Sequence, residues 1–99
     1  MDQKLIRTKI DQAGPELKAA GISALYLFGS QARGDAHAGS DVDLAFDVAE
    51  EANERFSLLD QVGIQLKLQD MLGCKVDFFE RSALLRRFGT KLEPLHKLL

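Results

Sequence analysis

A change of hydrophobic period constrains this chain more than anything else in it. Ala24-Leu-Tyr-Leu-Phe28 is a short apolar run closed by Gly29-Ser30, which predicts a buried strand running into a turn. Ser40-Asp-Val-Asp-Leu-Ala-Phe46 alternates acid and apolar residues before turning wholly apolar, so it predicts a strand whose first half has one polar face. Lys75-Val-Asp-Phe-Phe79 predicts a third strand. Between the last two, the acidic stretch Asp47 to Arg55 reads as a loop. Leu58, Leu59, Val62, Leu66 and Met71 then fall at helical spacing, with Ser57 as N-cap and Gly73 beyond the end. That segment is a crossover helix. Leu5, Ile6, Ile10 and Leu17 predict an N-terminal amphipathic helix, broken or restarted at Gly14-Pro15 and ended at Gly21. After Phe79, Leu84, Leu85, Leu92, Leu95, Leu98 and Leu99 predict helix to the end, with Pro94 at a helix start. The order α-β-turn-β-α-β-α defines a small α/β (α+β) sandwich, one sheet backed by helices.

Ninety-nine residues, 45% hydrophobic and 28% charged, make one globular domain spanning 1–99, with little left over for a second. No apolar run approaches the ~18–20 residues that span a bilayer, and Met-Asp-Gln-Lys begins no secretory pattern, so the expected location is the cytoplasm. Cys74 is the single cysteine, which excludes an intrachain disulfide and a cysteine-based zinc site, and its apolar neighbours favour a small core residue over a nucleophile. The net charge of −2 gives no electrostatic argument for nucleic acid as the main partner. Charge is nevertheless unevenly placed. Asp35 to Glu54 holds seven acids and no base, whereas Arg81 to the C-terminus holds five bases against Glu93.

Asp41 and Asp43 conflict locally with their strand, because Asp is disfavoured there and these two flank Val42 ahead of Leu44-Ala45-Phe46. At i and i+2 their carboxylates share a face, with Cα atoms roughly 6.5–7 Å apart, and repel one another unless a cation lies between. Asp77 is a second conflict of the same kind, between Val76 and Phe78. If the second and third strands are neighbours, three carboxylates converge, a hard-oxygen set that suits Mg²⁺. Any one Asp-x-Asp alone reads more readily as a solvated strand end. Gly29-Ser30 adds a strand end that presents backbone N–H groups and a hydroxyl to an anion, phosphate being the usual one, and Gly29 permits close approach. Arg33, one turn on, is either a charged donor to that anion or a surface side chain bonded to a loop carbonyl. Gly29 and Gly34 have P-loop spacing, but Asp35-Ala36 follows where Lys-Ser/Thr is needed, so that motif is absent. His37 and His96 read as solvent-facing or structural, and Tyr26 as sheet packing.

The segment GSQARGDAHAGSDVDLAFD resembles the signature of the DNA polymerase beta-like nucleotidyltransferase superfamily. With LFGSQARG, SDVDLAF and KVDFF in that order and little else, the chain is similar to the minimal nucleotidyltransferases (MNT-type antitoxins) often encoded beside a HEPN-type RNase toxin. Gly34, Ser40 and Leu44 match the pattern as well. The resemblance implies a polymerase beta palm-like fold, a mixed sheet backed by helices. It implies that Gly29 and Ser30, with Arg33 and Ser40, bind the phosphates of a nucleoside triphosphate, and that Asp41, Asp43 and Asp77 are catalytic and metal-binding. Asp77 would hold the nucleophile-side metal or take the nucleophile's proton. Two Mg²⁺ ions are implied, Mn²⁺ being able to substitute, with ATP as substrate. The implied reaction is transfer of AMP to a hydroxyl, a tyrosine, of a HEPN-type RNase toxin within a hetero-oligomer, without membrane or direct nucleic-acid binding. Two other functions compete. In one, the chain masks its partner without catalysis, through Leu92, Leu95, Leu98 and Leu99, which otherwise pack on the domain's own core. In the other, it adenylylates a small molecule such as an aminoglycoside.

Overall fold

The structure, a computed structural model, describes residues 3–29, 32, 41–92 and 95–99. Helix α1 (Gln3–Ala19) leads into β1 (Ile22–Phe28). Strand β2 (Val42–Val48) is followed by a 3-10 turn (Glu50–Ala52) and by α2 (Leu58–Leu72). Strand β3 (Val76–Glu80) runs directly into α3 (Arg81–Phe88), a second 3-10 turn (Gly89–Leu92) and the short β4 (His96–Lys97). The sheet order is β3-β2-β1-β4, and only the β2–β3 pair is parallel, as the intervening helix requires.

Alternation decides which face is core. Leu25 and Leu27 of β1, Val42, Leu44 and Phe46 of β2, and Val76 and Phe78 of β3 point to the side covered by α1 and α2. Phe46 stacks on Phe78 with ring centroids 4.3 Å apart, and Ile6, Ile10, Leu17, Ile64, Leu68 and Leu72 close the layer from the helices. A Glu16–Lys67 ion pair ties α1 to α2 at the surface.

Three expectations are corrected. Helix α1 runs unbroken through Gly14-Pro15, because Ile10, Ala13, Gly14 and Leu17 on both sides of the proline form one buried stripe. That continuous burial outweighs the ~3 kcal/mol cost of proline in a helix interior. Ser57 does cap α2, its hydroxyl accepting from the Asp60 N–H while Asp60 accepts from the Ser57 N–H, and Gly73 ends the helix at φ 73°. The buried face of α2, however, is Ile64, Leu68 and Leu72, whereas Leu58, Leu59, Val62 and Leu66 are exposed. The C-terminus is a strand in place of a helix. His96 and Lys97 pair with Leu27 and Tyr26, and the Leu98 N–H donates to the Leu25 carbonyl at 2.7 Å. This covers the edge of β1 that would otherwise leave its backbone groups unpaired. Leu98 joins the core and Leu99 approaches Gly14, so these two leucines are not a masking surface.

Candidate functional site

The sheet face away from α1 and α2 is only partly covered. Register places Asp43 opposite Asp77 on the parallel neighbour and opposite Phe28 on β1, while Asp41 lies one residue before β2 begins. Neighbouring strands are ~4.8 Å apart. β2 and β3 are adjacent, as the expectation required, and Asp41, Asp43 and Asp77 lie half-buried at one end of one face.

Gly29 closes this end. Its φ of 72° is left-handed, and a Cβ built there would overlap Asp43 Oδ2 and lie 3.0 Å from Asp43 Cγ. Glycine is thus required twice, once by backbone conformation and once because the Asp43 carboxylate lies against its Cα. The turn at the end of β1 and the central acid of β2 are in contact. Ser30, Arg33, Gly34, His37 and Ser40 lie outside the described residues.

Lys75 is a charge that the motif reading passed over. Its ammonium is 3.8 Å from Asp41 Oδ2 and 4.0 Å from Asp77 Oδ1, and its carbonyl accepts from the Val42 N–H at 3.1 Å. A base immediately before Val-Asp at the mouth of β3 was the available signal. Half-buried Cys74 precedes it, and burial above all pushes its thiol pKa up.

Farther along the same face, Asp47 is locked. Arg81 Nε donates to Asp47 Oδ1 at 2.9 Å and Oδ2 at 3.1 Å, the Tyr26 hydroxyl donates to Oδ2 at 3.4 Å, and the guanidinium sits 4.9 Å from the Tyr26 ring centroid. The hydrogen bond to Asp47 raises the Arg81 pKa further. This cluster anchors the start of α3 over the sheet. Beside it a groove of about 780 Å³ opens between α3 and the sheet, with Gly29, Phe28, Phe79, Leu84 and Phe88 in its lining.

Among the described residues, no three carboxylate, imidazole or thiol groups form a ready-made metal cage. The donor chemistry nonetheless fits a hard divalent cation held by one or two carboxylates and completed by water and substrate phosphates, the arrangement usual for Mg²⁺.

The profile of the nucleotidyltransferase domain family matches residues 6–97. Comparison with curated proteins gives no match. Among solved structures, a candidate minimal nucleotidyltransferase superposes with a TM-score of 0.74 at 29% identity, over 93% of this chain and 90% of that one. A toxin–antitoxin structure with AMP-PNP gives 0.67 at 25% identity, over 94% and 72% of the respective chains. The MntA-HepT toxin–antitoxin gives 0.61 at 22% identity, over 98% and 72%, a likeness of fold.

Proposed function

The chain belongs to the nucleotidyltransferase domain family, and from that premise we propose that it transfers AMP from ATP to a tyrosine hydroxyl of a HEPN-type RNase and thereby serves as that toxin's antitoxin. The contact of Gly29 with Asp43, beside the Asp43–Asp77 pair, is the observation that supports the reading, because a glycine suited to close phosphate approach then adjoins carboxylates suited to a cation. The toxin–antitoxin structures, one of them with AMP-PNP, support the partner and the nucleotide.

Asp41, Asp43 and Asp77 would hold the metals, Mg²⁺ or Mn²⁺, two of them in the expectation drawn from the family. Such ions, when bound, neutralise phosphate charge and act as Lewis acids. The remaining work belongs to the chain. Gly29, with Ser30, Arg33 and Ser40, binds the β- and γ-phosphates through backbone N–H groups and polar side chains. This holds the α-phosphorus in line between the acceptor oxygen and the leaving pyrophosphate. Asp77 either holds the nucleophile-side metal or takes the tyrosine proton, which is lost as the new O–P bond forms. The α–β anhydride bond breaks, and pyrophosphate leaves with its electron pair. Lys75, at the same carboxylates, limits their mutual repulsion before substrate arrives.

The test is transfer of label from α-labelled ATP to a HEPN protein encoded beside this chain, with mass spectrometry for one or more added AMP groups. Labelled tyrosine and released pyrophosphate are expected. If the Asp41→Asn/Asp43→Asn chain protects cells from that partner as well as wild type does, masking replaces catalysis. Label on an aminoglycoside in place of the protein would support the small-molecule reading.

A further inference from the structure

Two surfaces of opposite charge adjoin one another on the β3 side of the molecule. Along α2, Leu58, Leu59, Val62 and Leu66 form a ridge turned away from the core, Leu59 being 83% and Leu58 72% exposed. A continuous ridge of large apolar side chains on a small domain marks an interaction surface. Its surroundings are acidic: Glu50, Glu51, Glu54, Asp60 and Asp70 stand between Glu50 and Cys74 against Arg55 and Lys67, and Lys67 is paired with Glu16. The second surface is the groove beside α3, which starts at Phe28 and Gly29, is apolar at Phe79, Leu84 and Phe88, and carries Arg87 and Lys91 against one acid, Glu80. Arg86 adds a further positive charge. Gln61 of α2 also lines the groove, which makes ridge and groove neighbours.

Addition of a strand to β3 is blocked. Gln61 and Gln65 donate to the Phe78 and Val76 carbonyls at 3.0 and 2.8 Å, and the Val76 N–H donates to Gln69 Oε1 at 3.2 Å. Three glutamines one turn apart thus occupy backbone groups that an incoming strand would need. Association on this side must use side chains.

We propose that ridge and groove are the two halves of one self-complementary interface, and that in a two-fold dimer of this chain the α2 ridge of each copy lies in the α3 groove of the other. A two-fold axis makes the contact twice, so both apolar surfaces are covered at once. Each contact sets an acid-flanked ridge into a base-flanked groove. Ridge against ridge would set Glu54 and Asp70 of one copy among the acids of the other. Apolar burial supplies the stability, and charge selects the pairing. The groove reaches Gly29, so a seated copy borders the proposed nucleotide end of the sheet, and the association is read without nucleotide.

Sedimentation velocity on the purified chain, from about 1 to 100 µM at low and high salt, tests this. A monomer–dimer equilibrium that weakens with salt is expected. Leu59→Glu/Leu66→Glu should keep the wild-type circular dichroism and melting temperature yet remain monomeric. Two charge-reversed chains give a sharper reading, Glu54→Lys/Asp70→Lys on the ridge and Arg86→Glu/Arg87→Glu at the groove. Each alone should be monomeric, because ridge and groove then carry the same sign, whereas an equimolar mixture restores both complementary contacts and should dimerise. A wild-type chain that stays monomeric throughout, a leucine variant that still dimerises, or a mixture that stays monomeric would overturn the proposal, and the ridge would then belong to a different protein.

Discussion

Asp43 and Asp47 lie four residues apart on the same face of the same strand, yet their surroundings differ, and with them the work we propose for each. Asp47 is held by Arg81 and the Tyr26 hydroxyl, with the guanidinium over the Tyr26 ring, so its charge is matched and its position locked. Asp43 faces Asp77 across the β2–β3 seam and lies against the bare Cα of Gly29. Beside it, Asp41 and Asp77 share one exposed lysine at the limit of ion-pair distance, whereas Asp47 is held closely by an arginine. The proposed division into a structural and a functional acid rests on these surroundings.

Five substitutions sharpen that contrast. The largest effect belongs to Asp43→Asn, which should lower AMP transfer by about 10³-fold or more while leaving the melting temperature unchanged or raised, since it relieves repulsion. Asp47→Asn should do the reverse, keeping transfer within about threefold and lowering the melting temperature. Label transfer and thermal melts on the two variants together decide the matter, and equal losses in both assays would erase the distinction. Next comes Gly29→Ala, where left-handed φ and overlap with Asp43 add, for a loss of about 2–4 kcal/mol and of nucleotide binding. Gly73→Ala is its control, with φ 73° and open space around the new methyl, and should cost only about 1 kcal/mol in urea unfolding. The smallest effect is that of Arg81→Met, about 1 kcal/mol, because the Arg81–Asp47 pair is partly exposed and screened. Nucleotide affinity should not change in that variant, as calorimetry would show.

The acids were legible because they break a local rule. Asp in a strand has to be compensated, and register then brought Asp43 and Asp77 together without any other information. Caps were legible for the same local reason, Ser57 and Gly73 bounding α2 as their chemistry dictates. Periodicity misled in α2 because two apolar stripes lie on one helix, and spacing alone cannot say which faces the sheet; Ile64, Leu68 and Leu72 do. The C-terminus misled because a two-residue strand has no period, and it exists only through the β1 edge that it covers. Lys75 and the Arg81–Asp47 pair depend on contacts between strands or between strand and helix, which no local window contains. The roles assigned to Ser30, Arg33 and Ser40 rest on the motif.

Calorimetric titration of ATP with Mg²⁺ into wild type, Asp43→Asn and Asp47→Asn reads the central claim most directly. Wild type and Asp47→Asn should bind alike, Asp43→Asn at least about tenfold more weakly, and excess chelator should reduce the first two to the level of the third. Equal binding by all three chains, or binding indifferent to chelator, would contradict the assignment of the Gly29–Asp43 end of the sheet as the nucleotide site.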